Sequence, residues 1–307
     1  MTLTICACNS KGEKDVPKSG SQGTIRISGA WALYPMMIRW ADEYKKTHPD
    51  CQIDVAAGGA GKGIAEALTG LVDIGMVSRN IKPEEIQRGA NYVPVVKDAV
   101  FPVMNANNPV MEEVVAKGLK KKHFMALWIE GQSLTWGQLI DGKNNDAVHL
   151  FTRSDSCGAA ETWAAYLGKH QENLKGVGVY GDPGITEAVK KDTLGIGYNN
   201  LNYAYDMKTG LPQKGIRVIP VDINENSRVD PEEDLSTKEK AMNVVRKGLY
   251  PSPPARDLYI VVKGQFSGAL REFVLWILND GQKFVDEVGY IRLSDAQIQE
   301  AVGKVKN

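Results

Sequence analysis

Hydrophobic and polar positions follow two alternating periodicities along the first hundred residues. Apolar runs at 24–28, 51–57 and 71–78 are typical of buried strands. Between them, segment 34–44 carries apolar residues at the 3.6-residue spacing of a helix, and the glycine-opened segment 59–70 has the same spacing. This strand–helix order favours a mostly parallel sheet with helices on both faces.

The same alternation continues after a long extended run, YVPVVKDAVFPVMNANNPV, which ends in turn residues and predicts a crossover out of the first unit. Further strands are predicted at 147–153, 194–198, 215–222 and 255–263. Further helices are predicted in the ranges 111–131, 134–140, 157–168, 181–191 and 266–290. The pattern therefore predicts two α/β units.

The composition is that of an ordinary globular protein. The 307 residues are 43% hydrophobic and 24% charged, and 37 basic residues balance 37 acidic ones. This balance gives no reason to expect a nucleic-acid partner. No apolar run approaches the roughly 18 residues of a membrane span. The body of the chain holds two cysteines, Cys51 and Cys157, with no metal-binding spacing.

The N-terminus, MTLTICACNSKGEKDVPKSGSQG, has a short apolar piece and then a polar tether. The run Ile5-Cys6-Ala7-Cys8 resembles a bacterial lipobox, in which the cysteine is lipidated after cleavage. We therefore expect residues 1–22 to be a signal remnant and lipoprotein tether. Lipidation of Cys8 predicts a periplasmic or cell-surface protein that is anchored to the membrane.

Four strand-to-helix turns are rich in small residues, and their sequences are SGAWALYPMM, AAGGAGKGI, SRNIKPEE and TRSDSCGAAETW. Small residues let the backbone approach a ligand, and helix N-termini present unpaired N–H donors. Such turns gather at the carboxyl ends of parallel strands, where they bind anions. The glycine spacing fits neither common nucleotide motif. The pattern therefore predicts a site for a small anion.

Taken in order, these segments resemble the phosphate-binding subunits of bacterial ABC phosphate importers, which are periplasmic binding proteins. The resemblance covers about residues 23–295. It rests on SGAWALYP, AAGGAGKGI, LVDIGMVSR, WIEGQSLTWGQLI, TRSDSCGA, GDPGITEAV, LGIGYNN and YPSPPARDLYIVVKG.

The resemblance implies a type II two-lobed α/β fold, in which each lobe is a mixed, mainly parallel sheet flanked by helices and two strands cross between the lobes. We expect one lobe to comprise residues 23–104 and 255–307, and the other 105–254. The implied partners are inorganic phosphate and the permease subunits of an ABC importer. The resemblance further implies a monomer. It implies no enzymatic activity and no required cofactor.

The resemblance also implies a set of ligand-binding positions in both lobes. Arg153 would carry the full positive charge that contacts the anion, and Asp155 would orient the Arg153 side chain. The implied contacts are Ala32, Leu33, Ala57, Ser78, Arg79, Arg153, Asp155, Ser156, Cys157, Gly158 and Ala159.

The chain departs from the family pattern at five of these positions. Hydroxyl side chains are common in the family where this chain has Leu33, Ala57, Cys157 and Ala159, and an aspartate is found in some members where it has Ser78. Such an aspartate accepts the proton of phosphate, and this chain lacks it. The alternative ligands are therefore sulfate, molybdate, tungstate or a small organic anion.

Residues 222–233, DINENSRVDPEE, have the oxygen spacing of an EF-hand calcium loop. Ser227 stands where glycine normally allows the sharp turn. A structural calcium ion is therefore one expectation, and a solvated acidic turn is the other. The ligands would be Asp222, Asn224, Asn226, Arg228 (through its carbonyl), Asp230 and Glu233.

A cysteine-dependent hydrolase is the enzymatic alternative. Cys157 is predicted at a helix N-terminus near Arg153, where a thiolate is stabilised. The four histidines show no spacing that indicates a general base, and nothing in the sequence arranges a triad. The sequence therefore favours binding over catalysis.

Overall fold

Nine strands form the frame of the molecule in a computed structural model that describes residues 23–307. The predicted tether and Cys8 lie outside these residues. The strands are β1 Gly23–Gly29, β2 Cys51–Ala57, β3 Ile74–Val77, β4 Ala90–Asn105, β5 His149–Arg153, β6 Val177–Val179, β7 Gly195–Asn200, β8 Ile216–Val218 and β9 Ala255–Lys263.

Thirteen α-helices connect and cover these strands between residues 23 and 307. None of them is both long and apolar enough to cross a membrane. They are α1 Tyr34–Thr47, α2 Ala60–Thr69, α3 Pro83–Gln87, α4 Met111–Lys117, α5 Lys121–Met125, α6 Trp136–Ile140, α7 Gly158–Tyr166, α8 Gly181–Lys191, α9 Leu201–Ala204, α10 Lys238–Arg246, α11 Gly268–Leu278, α12 Val285–Val288 and α13 Asp295–Lys306.

The strand order is β2-β1-β3-β9-β4-β7-β5-β6, and β8 pairs with β4. On one side, β1 pairs in parallel with β2 and β3; on the other, β5 pairs in parallel with β6 and β7. Strands β4 and β9 are antiparallel to each other and to their neighbours, and they join the two parallel groups. The two parallel groups are thus linked by a pair of crossover strands.

Buried apolar side chains form two separate cores. The first core contains side chains from β1 to β3, α1, α2, α11 and α13, and the second contains side chains from α4 to α10. Strand β4 passes from the first core at Val96 to the second at Ala99, and β9 passes between Leu258 and Ala255. The predicted α/β architecture with two lobes and two crossover strands is confirmed. The residue bounds of the lobes stay a prediction, because burial locates cores and not rigid bodies.

Two predicted helices are interrupted. In the segment 111–131, α4 ends before Gly118, whose φ of +69° is left-handed, and a second helix, α5, follows. The predicted helix 266–290 ends at Asn279, which has φ −111° and ψ −92°, and a 3₁₀ turn precedes α12. Apolar periodicity continues through both breaks because both sides of each break face a core.

Helices α9, α10 and α13 and strand β6 were not predicted from the sequence. Helix α13 carries a start signal that could have revealed it, because the Ser294 hydroxyl accepts a hydrogen bond from Gln297 N as a capping box requires. Strand β6 has three residues and two exposed positions, so it has little apolar pattern to detect.

We predict that Trp40→Ala removes much of the stability of the first core. Trp40 lies fully buried in α1, and its indole N–H donates to the Gly281 carbonyl at 2.9 Å. Loss of a buried tryptophan typically lowers the free energy of unfolding by about 3–5 kcal/mol. Urea unfolding followed by circular dichroism measures this change. Leu71→Ala, at a side chain that is 64% exposed, is the control and should change the free energy by less than about 0.5 kcal/mol.

Candidate functional site

The small-residue turns from the two cores meet directly. Gly61 in the first turn of α2 donates its N–H to the Ser156 carbonyl at 3.2 Å. A Cβ atom added to Gly158, the first residue of α7, would lie 2.1 Å from the carbonyl oxygen of Ser78. No side chain larger than hydrogen fits there without moving one core away from the other. The N-termini of α2 and α7 therefore face one region between the cores.

Arg153 is held at this junction by two carboxylates. Its Nε and Nη2 donate to the two oxygens of Asp155 at 2.8 and 2.6 Å, and its Nη1 donates to Asp182 Oδ2 at 2.7 Å. The Arg153 side chain is only 1% exposed. Because a guanidinium has five N–H donors, one donor on each terminal nitrogen has no carboxylate partner. These two donors can meet an anion.

The charge of Arg153 is secured by its neighbours. Burial disfavours the charged guanidinium, but attraction to Asp182 and the contacts with Asp155 outweigh it and raise the pKa of Arg153 above its ordinary value. Arg153 therefore stays cationic at any pH at which the protein is folded.

Asp182 is a residue of this candidate site that was not predicted from the sequence. It lies in the first turn of α8, its side chain is 1% exposed, and its second oxygen accepts from Asn200 Nδ2 at 2.5 Å. An acidic residue in the first turn of a helix is common for electrostatic reasons alone. Its position in GDPGITEAV was visible, but its pairing with Arg153 across 29 residues was not.

Cys157 caps α7 and is unsuited to act as a nucleophile. Its thiol is buried, and its Sγ accepts a long hydrogen bond from Ala160 N at 3.4 Å. Burial raises the pKa of Cys157 to about 12, although Arg153 lowers it in part. The thiol is therefore uncharged at neutral pH, and a thiolate mechanism has no support here.

Of the remaining first-lobe positions, Ser78 lies at the junction and Arg79 points away from it. Ser78 is buried against Gly158, and Leu33 is fully buried at the start of α1. Arg79 instead directs its guanidinium to Glu85 in α3, with N–O distances of 2.9 and 2.7 Å. The structure therefore does not place the Arg79 side chain toward Arg153.

The other predicted positions contribute backbone and small side chains. Ala32 lies buried in the β1–α1 turn, and its carbonyl accepts from Tyr290 Oη at 2.6 Å. Ala57 ends β2 and is half-buried, Ser156 is exposed, and Ala159 is buried in the first turn of α7. Their roles as ligand contacts stay predictions.

Carboxylate oxygen atoms of the loop 222–233 accept hydrogen bonds from N–H groups of the same loop. Asp222 accepts from the N–H groups of Asn226 and Ser227, and Glu233 accepts from Ile223 N. Ser227 adopts a φ of +60°, the conformation that glycine normally supplies at this position. Within residues 23–307, no group of three or more His, Cys, Asp or Glu side chains is arranged to hold a metal ion. Calcium binding stays a prediction.

We predict that Gly158→Ala separates the two cores. The added methyl group would overlap the Ser78 carbonyl and hydroxyl, at 2.1 and 2.2 Å, so the turns could not stay in contact. Small-angle X-ray scattering should then give a larger radius of gyration than for the unchanged protein. Gly303→Ala in α13, where an added Cβ would meet nothing within 4 Å, is the matched control. An unchanged radius for Gly158→Ala would show that the contact does not hold the cores together.

Comparisons with known proteins agree with this arrangement. A family model described as the PBP superfamily domain matches residues 16–280. The phosphate-binding protein PstS of Bacillus subtilis is 25% identical to this chain, covering 98% of the chain and 94% of that protein. A Clostridium perfringens protein, described as a phosphate ABC transporter substrate-binding protein with bound phosphate, superposes with a TM-score of 0.72 at 24% identity, covering 89% of this chain and all of that one.

The same fold also occurs in proteins with other roles. The reduced OxyR regulatory domain of Pseudomonas aeruginosa superposes with a TM-score of 0.51 at 11% identity, covering 87% of this chain and 96% of that one. The likeness of fold therefore does not decide the ligand, which must be argued from the residues of the site.

Proposed function

Because the chain belongs to the PBP superfamily, we propose that it is a substrate-binding protein that captures an inorganic oxyanion between its two lobes and delivers it to an ABC importer. The observation that carries this proposal is the meeting of α2 and α7 beside Arg153. Two helix N-termini and two free guanidinium donors offer N–H groups from several directions, which suits a small tetrahedral anion.

We propose phosphate as this anion. The names of the PstS relative and of the phosphate-bound C. perfringens protein support this choice. Phosphate at neutral pH carries a proton to donate, whereas sulfate does not. A buried hydrogen-bond acceptor therefore distinguishes the two anions. Asp155 supplies that acceptor. Its Oδ1 accepts from Arg153 and from Gly181 N, but its Oδ2 accepts from Arg153 alone and lies beside Gly59 at the start of α2.

The cellular setting is also part of the proposal. The lipobox-like run at Cys8 and the ABC transporter description of the C. perfringens protein support a periplasmic or cell-surface protein, anchored by a lipid at Cys8. The closed form would be recognised by the permease, because an anion that contacts both lobes stabilises closure. We propose that the protein acts as a monomer.

We predict that Arg153→Lys weakens phosphate binding by about 10–100-fold, because a hydrogen bond to a charged group contributes about 1.5–3 kcal/mol. Lysine keeps the buried charge for Asp155 and Asp182 but loses the fork that reaches the anion. Isothermal titration calorimetry measures the affinity, and circular dichroism confirms folding.

Arg26→Lys is the matched control for this experiment. Arg26 pairs with Asp73 on the surface, and its side chain is 51% exposed, so its replacement should leave the affinity unchanged. If Arg153→Lys and the unchanged protein bind phosphate with equal affinity, Arg153 does not contact the anion.

We predict that the unchanged protein binds phosphate more tightly than sulfate or molybdate, and that Asp155→Asn narrows this preference. An amide disturbs Arg153 for all three anions, but only phosphate loses a proton acceptor, which is worth about 5–100-fold. Competitive calorimetry with the three anions measures the ratio. Tighter binding of sulfate or molybdate by the unchanged protein would reject phosphate as the ligand.

A further inference from the structure

Asp98 and Arg256 form a buried charge pair at the point where the crossover strands change cores. They are direct cross-strand partners in β4 and β9. Val96 and Leu258 on one side belong to the first core, and Ala99 on the other side belongs to the second. The side chains of Asp98 and Arg256 are only 2% and 7% exposed. Charged groups at such a position are unusual, because burial of a charge is costly unless it is well paired.

The pair is poorly satisfied. The nearest approach, from Arg256 Nη2 to Asp98 Oδ2, is 3.6 Å, which is too long for a good hydrogen bond. Both oxygens of Asp98 and Nε of Arg256 lack a hydrogen-bond partner of normal geometry. Burial raises the pKa of Asp98 to about 7, although Arg256 and the backbone N–H groups of Ala99 and Leu201 lower it in part. Asp98 therefore changes its charge near neutral pH.

Arg256 connects this pair to the candidate site. Its Nη1 donates to the carbonyl of Gly158 at 3.3 Å, and its Nη2 donates to Asn200 Oδ1. Asn200 in turn donates to Asp182, which holds Arg153. A continuous chain of polar contacts thus runs from the crossover strands to the anion-binding turn.

The charges around this chain do not balance when Asp98 is ionised. Two arginines, Arg153 and Arg256, face three aspartates, Asp98, Asp155 and Asp182, so one negative charge is in excess. Protonation of Asp98 removes that excess. A bound anion adds negative charge to the same buried region, where charges are weakly screened. Anion binding and ionisation of Asp98 therefore oppose each other.

Four other charged or titratable groups face Asp98. They are Arg256 from β9, Asp182 from α8, Tyr203 from α9 and Tyr290 from the segment after α12. Burial raises the pKa of both tyrosines far above neutrality, so they remain uncharged. Asp98, whose pKa is raised to about 7, is the group through which we expect pH to act here.

This inference rests on the proposed function. We propose that Asp98 is a proton-linked control of anion capture: it takes up a proton when the anion binds, and Arg256 is then free of its counter-charge and positions the turn at Gly158. Capture is therefore strongest on the acidic side of neutrality and weakens as Asp98 ionises.

The test compares Asp98→Asn, which mimics the protonated form, with the unchanged protein. Phosphate affinity is measured by calorimetry at pH 6 and pH 8. Phosphate itself changes protonation over this range, but it does so equally for both proteins. We expect equal affinities at pH 6. At pH 8 we expect Asp98→Asn to bind up to about tenfold more tightly, the effect of one carboxyl group that must regain its proton.

Three further variants sharpen the test. Asp257→Asn, on the neighbouring residue of β9 that pairs with Lys97, should behave as the unchanged protein at both pH values. Asp98→Glu keeps a titrating group and should keep the loss of affinity at pH 8. Asp98→Ser, also uncharged, should repeat the result of Asp98→Asn and serves if the asparagine variant does not fold.

The outcomes separate this inference from the proposed function. Parallel pH dependence in the unchanged protein and in both uncharged variants would overturn the role of Asp98 and leave phosphate binding intact. If the unchanged protein binds no phosphate at either pH, the proposed function fails and the coupling fails with it.

Discussion

The fork between Arg153 and its two aspartates is the interaction on which the candidate site depends. A buried guanidinium would be very costly alone, so Asp155 and Asp182 are needed to keep it inside the protein. The same contacts fix its orientation, because each carboxylate engages a different edge of the planar group. Two N–H donors are left over for a ligand, and their direction is set before any ligand arrives.

This arrangement makes the attraction for an anion short-ranged. The aspartates outnumber the arginine, so the immediate surroundings of Arg153 carry no net positive charge that would draw in anions from a distance. In the proposed site, binding would come from directional hydrogen bonds at close range, from the guanidinium and from the N-termini of α2 and α7. Such bonds depend on the size and shape of the ligand. On this proposal a compact tetrahedral anion would reach donors from both cores at once, and its binding would favour the closed form.

The sequence predicted the local features well and the distant pairings poorly. The alternation of strands and helices, the four small-residue turns and the Arg153–Asp155 pair are all visible within short windows of sequence. The pairs Arg153–Asp182 and Asp98–Arg256 join residues from separate strands and helices, and no periodicity reports them. Arg79 illustrates the same limit, because its neighbour Glu85 in α3 determines where its side chain lies.

Three of the four missing hydroxyl groups are explained by what their replacements do. The Leu33 side chain is fully buried in the first core, and Cys157 caps α7 from within the second. Ala159 is likewise buried in the second core, so it strengthens packing instead of presenting a donor. Discrimination between anions must then rest on the backbone N–H groups, on Arg153 and on the single free acceptor position of Asp155. Because an unpaired buried acceptor is penalised more than a missing donor contact is, Asp155 is the residue best placed to distinguish a protonated anion from an unprotonated one.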